Sequence, residues 1–261
     1  MSVILGRDLA ATRTVIAHWL RQRLPDATRV HVPPLRAAEG GSSSETLFLD
    51  PEIETADGIQ RQHWVLRIQA SGYQVYQNPS VERQYRVMDA VAKAGSVPVP
   101  AMLWFEADNS LLGAPFFIME RVAGEVPHER YHSQGILFDA SPAERRQMWL
   151  SGIEAMAAIH RIDPHHVSFL AQPALGPTGL DQEVAAWDAY LDWAKVAAHP
   201  VLDRARVWMA THMPPQRPTG LAWGDARLGN MIFADHRCRA ILDWETASLG
   251  GAESDLGWWI Y

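Results

Sequence analysis

The sequence predicts an α+β fold in two lobes, residues 1–121 and 122–261. Three observations predict it. Up to about Arg121, short extended segments alternate with turns and leave room for one or two helices, which reads as a mostly antiparallel sheet. Beyond Ala123, helical spacing dominates. Within that helical half stands one hairpin signal, in which Met231–Phe233 and Ala240–Leu242 flank the turn Ala234-Asp235-His236-Arg237.

The first lobe opens with an amphipathic stretch from Asp8 to Leu24, where Leu9, Val15, Ile16, Trp19 and Leu20 share a face and Pro25 ends the helix. An extended run, Arg29 to Leu35, is interrupted by Pro33-Pro34. Glu39 to Asp50 places two glycines and three serines between β-like segments. Backbone N–H groups and hydroxyls in such a loop can cradle phosphate, although the composition equally describes a plain turn. Gln60–Ile68 reads as a strand, Ser80–Lys93 as a helix, and Val97-Pro98-Val99-Pro100 as an extended connector. Met102–Phe105 and Pro115–Arg121 read as two strands around Asp108-Asn109-Ser110, the second expected at the sheet edge.

In the second lobe Ser141 is the expected N-cap of a helix, with Pro142 at its first position and Glu144 three residues on. The helix runs to about His160, a residue expected in the core or in support of the site. Asp163-Pro164-His165-His166 contains ligand types, but one short loop makes a poor metal site. Asp181–Ala197 and Leu202–Met213 read as further helices. On the first of them Trp187, Tyr190, Leu191 and Trp193 either border a substrate cleft or pack a core.

The chemistry concentrates in L-A-W-G-D-A-R-L-G-N-M-I-F-A-D-H-R-C-R-A-I-L-D-W-E, Leu221 to Glu245. Asp225 and Asn230 stand five apart, and Asp243 ends the apolar run Ala240-Ile241-Leu242. A hairpin brings Asn230 and Asp243, at the outer ends of its strands, together, with Asp225 on the loop before it. Two carboxylates and an amide at one mouth suit phosphoryl transfer. Asn230 and Asp243 are the right types for Mg²⁺, and Asp225 can accept a hydroxyl proton. Singly, the three residues would read as a turn residue, a cap and a strand end.

Composition removes several other classes. The net charge is −7 and no basic tract occurs, which argues against nucleic acid as a partner. No apolar run reaches membrane-spanning length, and Met1–Leu9 lacks the apolar core of a signal peptide. Cys238 is the only cysteine, so no internal disulfide forms, and a cytoplasmic location is expected. With 48% hydrophobic residues and eleven tryptophans, a sizeable core is available.

The stretch W-G-D-A-R-L-G-N resembles the aminoglycoside phosphotransferase family, which has the protein-kinase-like fold. Trp223 stands where that family often carries His, and the wording is more similar to the subgroup related to the phosphotransferase domain fused to some acyl-CoA dehydrogenases. The resemblance implies ATP as donor, Mg²⁺ as cofactor and a small-molecule hydroxyl as acceptor, with ATP between the lobes. It implies that Ser42, Ser43 and Ser44 cover the nucleotide phosphates and that Arg67, in V-L-R, pairs with them. The helical Glu that holds such a cation in this fold is replaced by Gln84, with Glu82 two positions away. Adenine is implied at the backbone of Glu120 to Val122, against Met119 or Val65. Asp255 is expected to brace the catalytic loop, and Arg227 to meet substrate or phosphate or to serve structure. Relatives continue past Tyr261, so the chain is expected to be incomplete there, with Trp258 and Trp259 partly exposed or covered by a partner chain. The rival readings are a protein kinase, opposed by the absence of an A-P-E-like segment, and a catalytically silent nucleotide-binding module.

Overall fold

The computed structural model describes residues 6–38, 44–70, 75–195, 197–217 and 219–260. The chain divides into two compact units, 1–92 with 100–123, and 93–99 with 124–261.

The first unit begins with α1 (Leu9–Arg23), whose N-cap Asp8 accepts from the amides of Ala10 and Ala11. Then come β1 (Arg29–His31), β2 (Arg36–Ala37), β3 (Ser44–Leu49), β4 (Glu52–Thr55), β5 (Gly58–Arg61) and β6 (Trp64–Gln69). After these follow α2 (Val81–Ala94), β7 (Met102–Glu106), the short α3 (Asn109–Leu112) and β8 (Phe116–Glu120). Five strands form an antiparallel sheet in the order β2-β3-β6-β8-β7, while β1, β4 and β5 form a separate ribbon. The expected strand Gln60–Ile68 is therefore two, one in each sheet.

The expectation that Pro115–Arg121 lies at the sheet edge is corrected. β8 sits between β6 and β7, and β7 takes the edge. The reason was available in the residues. Phe116 to Met119 are consecutive apolar residues and all are buried, the mark of a strand covered on both faces. Asp108-Asn109-Ser110, expected as a turn, instead opens α3, with Asp108 as its N-cap.

Strand alternation separates two faces. Trp64, Leu66 and Ile68 join Phe116, Ile118, Leu47 and Leu49 in a core closed by Ile16, Trp19 and Leu20 of α1. Val65 and Arg67 take the opposite face.

The second unit holds α4 (Ile136–Asp139), α5 (Pro142–Ile159), α6 (Gly179–Ala194) and α7 (Pro200–His212). The hairpin β9 (Met231–Ala234) and β10 (Arg237–Ile241) follows, and then α8 (Ala252–Ile260). Ser141 and Glu144 form the expected capping box. The hairpin turns on Asp235 and His236, both at positive φ (51° and 57°), as a two-residue turn requires. The Cys238 amide donates to Ser151 Oγ at 2.8 Å, which fastens the hairpin to α5. Trp259 packs over Gly152 of α5 so closely that a Cβ there would lie 2.5 Å from the indole. Among the described residues, no helix is long and apolar enough to cross a membrane.

Candidate active site

The loop from Trp223 to Asn230 is suspended from one buried carboxylate. Asp255 of α8 is fully buried. Its two oxygens accept from the backbone amides of Trp223 and Gly224, each at 2.7 Å. His160 Nε2, at the C-cap of α5, lies 2.8 Å from the same carboxylate. Gly224 is at φ 96°, and a Cβ there would meet the Thr246 carbonyl at 2.6 Å. Only glycine fits that combination of positive φ and close approach. Trp223 is fully buried and its Nε1 donates to the Leu242 carbonyl at 2.8 Å. Trp223 thus packs beneath the loop and ties it to the hairpin.

These contacts deliver Asp225 half-exposed at the surface of the second unit. Its Oδ2 accepts from Asn230 Nδ2 at 2.6 Å and from Arg227 Nε at 3.2 Å. Asn230 Nδ2 also donates to the Asp225 carbonyl at 3.1 Å. Oδ1 accepts from Trp258 Nε1 at 2.7 Å. The amide hydrogens of Asn230 are spent on Asp225, which turns its Oδ1 away from that residue. Asn230 is itself buried.

The hairpin closes the group as its register requires. The Leu242 amide donates to the Asn230 carbonyl at 2.8 Å, so Asn230 and Asp243 flank one mouth. Asp243 stands at φ 59°, a left-handed conformation that Asp tolerates better than most residues, and this interrupts the strand directly after β10. An amide oxygen and a carboxylate, both hard oxygen donors, fit Mg²⁺. Among the described residues no group of three or more His, Cys, Asp or Glu is placed to hold a metal, and Asp163-Pro164-His165-His166 is a 3₁₀ turn capped by Asp163.

The remaining expected residues lie in the first unit. Ser42 and Ser43 fall outside the described residues; Ser44 is buried at the start of β3, opposite Gln69 of β6. Arg67 is half-buried on β6, between Thr46 and Phe117 on the neighbouring strands. On α2, Gln84 is buried and Glu82 exposed, so Gln84 is the one that faces inward. Val65 and Met119 are direct cross-strand partners and both are buried, which places the two expected adenine contacts side by side. Glu120 ends β8 and its amide donates to the Ala101 carbonyl at 2.9 Å; Val122 follows the strand, half-buried.

Two features were missed in the sequence. Trp258 on Asp225 could not be read from spacing, since they are 33 residues apart. The second is an open cavity of about 670 Å³ beside the loop, lined by Leu228 and by residues 131–150. Trp187 and Trp193 of α6 are not among the residues that line it; both are exposed.

Residues 34–261 match the model of the phosphotransferase enzyme family. The chain belongs to that family. Acyl-CoA dehydrogenase family member 10 of Mus musculus is 31% identical over 198 residues, 74% of this chain and 18% of that protein. Member 11 of Rattus norvegicus is 28% identical over 243 residues, 91% of this chain and 29% of that protein. The chain thus spans less than a third of these curated relatives. Among solved structures, a Ralstonia eutropha protein assigned as an aminoglycoside phosphotransferase gives a TM-score of 0.67 at 27% identity, covering 94% of this chain and 68% of that one. Aminoglycoside phosphotransferase APH(4)-Ia, in a ternary complex with AMP-PNP and hygromycin B, gives 0.61 at 18% identity over 92% and 74%. The fold is therefore the two-lobed, protein-kinase-like one of the aminoglycoside phosphotransferases.

Proposed function

We propose that this chain transfers the γ-phosphoryl group of ATP to a hydroxyl of a small molecule. The observation that carries the reading is the Asp225–Asn230 pair, 2.6 Å apart at a hairpin mouth that also presents Asp243. The Asp225 carboxylate takes the proton of the acceptor hydroxyl as its oxygen attacks phosphorus. Arg227, on the same carboxylate, orients it and offers positive charge to the transferring group. Asn230, through its Oδ1, and Asp243 would hold Mg²⁺, which when bound would neutralise charge on the phosphates. Arg67 would pair with the phosphates, a role suited to a planar guanidinium, and Gln84 would hold it in place. Ser42, Ser43 and Ser44 would cover the phosphates. The backbone of Glu120 and Val122 would receive adenine, on the surface of Val65 and Met119. The bound AMP-PNP of the APH(4)-Ia complex supports ATP as the donor.

The test is ADP release from Mg-ATP across a panel of hydroxyl-bearing metabolites and antibiotics, with Asp225→Ala as control. Loss of a general base lowers a rate by on the order of 10²–10⁴, with nucleotide binding retained. An Asp225→Ala variant that turns over like the parent would refute the assignment. Nucleotide binding without turnover on any acceptor would favour the silent module.

A further inference from the structure

The cavity beside the Trp223–Asn230 loop runs against the charge of the chain. The protein as a whole carries a net charge of −7. The cavity nevertheless presents two guanidiniums, Arg145 and Arg146, and the imidazole of His132, and no carboxylate lines it among the described residues. Arg145 is partly engaged, donating to the Phe138 carbonyl at 2.7 Å. Arg146, exposed on the first turns of α5, makes no ion pair among the described residues. Around these cations stand Tyr131, Phe138 and Trp149, each about half exposed. Three large aromatic side chains left in water on one concave wall mark a binding surface. A volume of about 670 Å³ is that of a small-molecule site. Leu228, three residues after Asp225 and within the 3₁₀ turn that carries Asn230, also lines the cavity, so the loop that carries the proposed base supplies part of its wall.

We propose that this cavity binds the acceptor, and that the acceptor is an organic anion. Its apolar or aromatic body lies on Tyr131, Phe138 and Trp149, and its carboxylate, phosphate or sulfate meets Arg146, with Arg145 and His132 beside it. The cavity selects against polycations, whose ammonium groups would face two fixed positive charges. The choice of a hydroxyl-bearing ligand rests on the phosphotransfer reading; the preference for negative charge does not.

The experiment is equilibrium dialysis without nucleotide, followed by naphthalene fluorescence, on three probes that share one hydroxymethylnaphthalene body and carry a negative, a neutral and a positive group. These are 6-(hydroxymethyl)-2-naphthoate, its methyl ester, and 6-(aminomethyl)-2-naphthalenemethanol. The carboxylate should bind at least about ten-fold tighter than the ester or the amine, the scale of one charge-assisted hydrogen bond. Arg146→Ala should remove most of that preference, and Arg146→Glu should invert it in favour of the amine. Arg146 is exposed, so neither substitution endangers folding. Equal or tighter binding of the amine or ester by the parent, no saturable binding of the carboxylate, or an unaltered preference in Arg146→Glu would each overturn the proposal. Because no turnover is measured, a failure of phosphoryl transfer and a failure of this site are distinguishable. Anion-selective, Arg146-dependent binding in a protein that never releases ADP would leave the site standing and remove the transferase reading.

Discussion

Replacing Asp255 by alanine tests whether the loop from Trp223 to Asn230 hangs from a single buried carboxylate. The substitution removes the acceptor of two backbone amides, Trp223 and Gly224, both at 2.7 Å, in a place with no solvent access. An unsatisfied buried donor costs roughly 1–3 kcal/mol, so the two together cost roughly 2–6 kcal/mol. His160 loses its partner as well. Against a total stability of about 5–15 kcal/mol, this is a severe loss. Asp255→Asn keeps one acceptor oxygen and should forfeit about half as much, roughly 1–3 kcal/mol. Urea denaturation followed by tryptophan emission reads the effect directly. At an m-value of about 1–3 kcal/mol/M, the alanine variant should lower the midpoint by on the order of 1 M or more with m unchanged. Its residual activity should fall in kcat more than in KM for ATP, because the displaced loop carries Asp225. A midpoint shift below about 0.2 M, with full turnover, would show that the Trp223 and Gly224 amides find other acceptors and that the brace is not needed.

Two further outcomes are expected. Burial raises the Glu183 carboxyl above its ordinary value of 4.5, partly opposed by hydrogen bonds from Ser254 and Ser248 and reinforced by the nearby Asp255. A raised folded value means that stability is complete below the unfolded pKa and declines as pH rises through the folded one. Glu183→Gln should therefore raise Tm at pH 7 and leave it nearly unchanged at pH 4; a drop at pH 7 would refute the sign. Trp258→Phe removes the indole donor from Asp225 Oδ1. It should free that oxygen for the acceptor and raise transfer about five-fold, the worth of one ordinary hydrogen bond, with ATP binding unchanged. Slower transfer would mean that the indole orients the carboxylate instead.

Much of this architecture was legible because its signals are local. The capping box at Ser141 and Glu144, the hairpin around Asp235 and His236, and the loop from Trp223 to Asn230 each lie within a few residues of chain. The edge assignment of β8 failed because strand order is a property of pairing between distant segments; only the unbroken apolar run Phe116 to Met119 argued for the centre. Helical phase turns Gln84 inward and Glu82 outward, which spacing alone left open. Trp258 on Asp225 and the cationic cavity depend on which helices lie beside the loop, and nothing within the loop encodes that.

The contact between Gly152 and Trp259 has a consequence for how this sequence can change. With an indole 2.5 Å from where a Cβ would stand, the two positions share one volume. Enlarging residue 152 first forces the indole aside, and α8 with it, along with Asp255 and Trp258 on the same helix. Shrinking residue 259 first leaves a void, which lowers stability but spares the loop, and a side chain at 152 can then fill it. The two routes to the same double variant are thus unequal, and only the one that begins at Trp259 passes through an intermediate that keeps Asp225 in place.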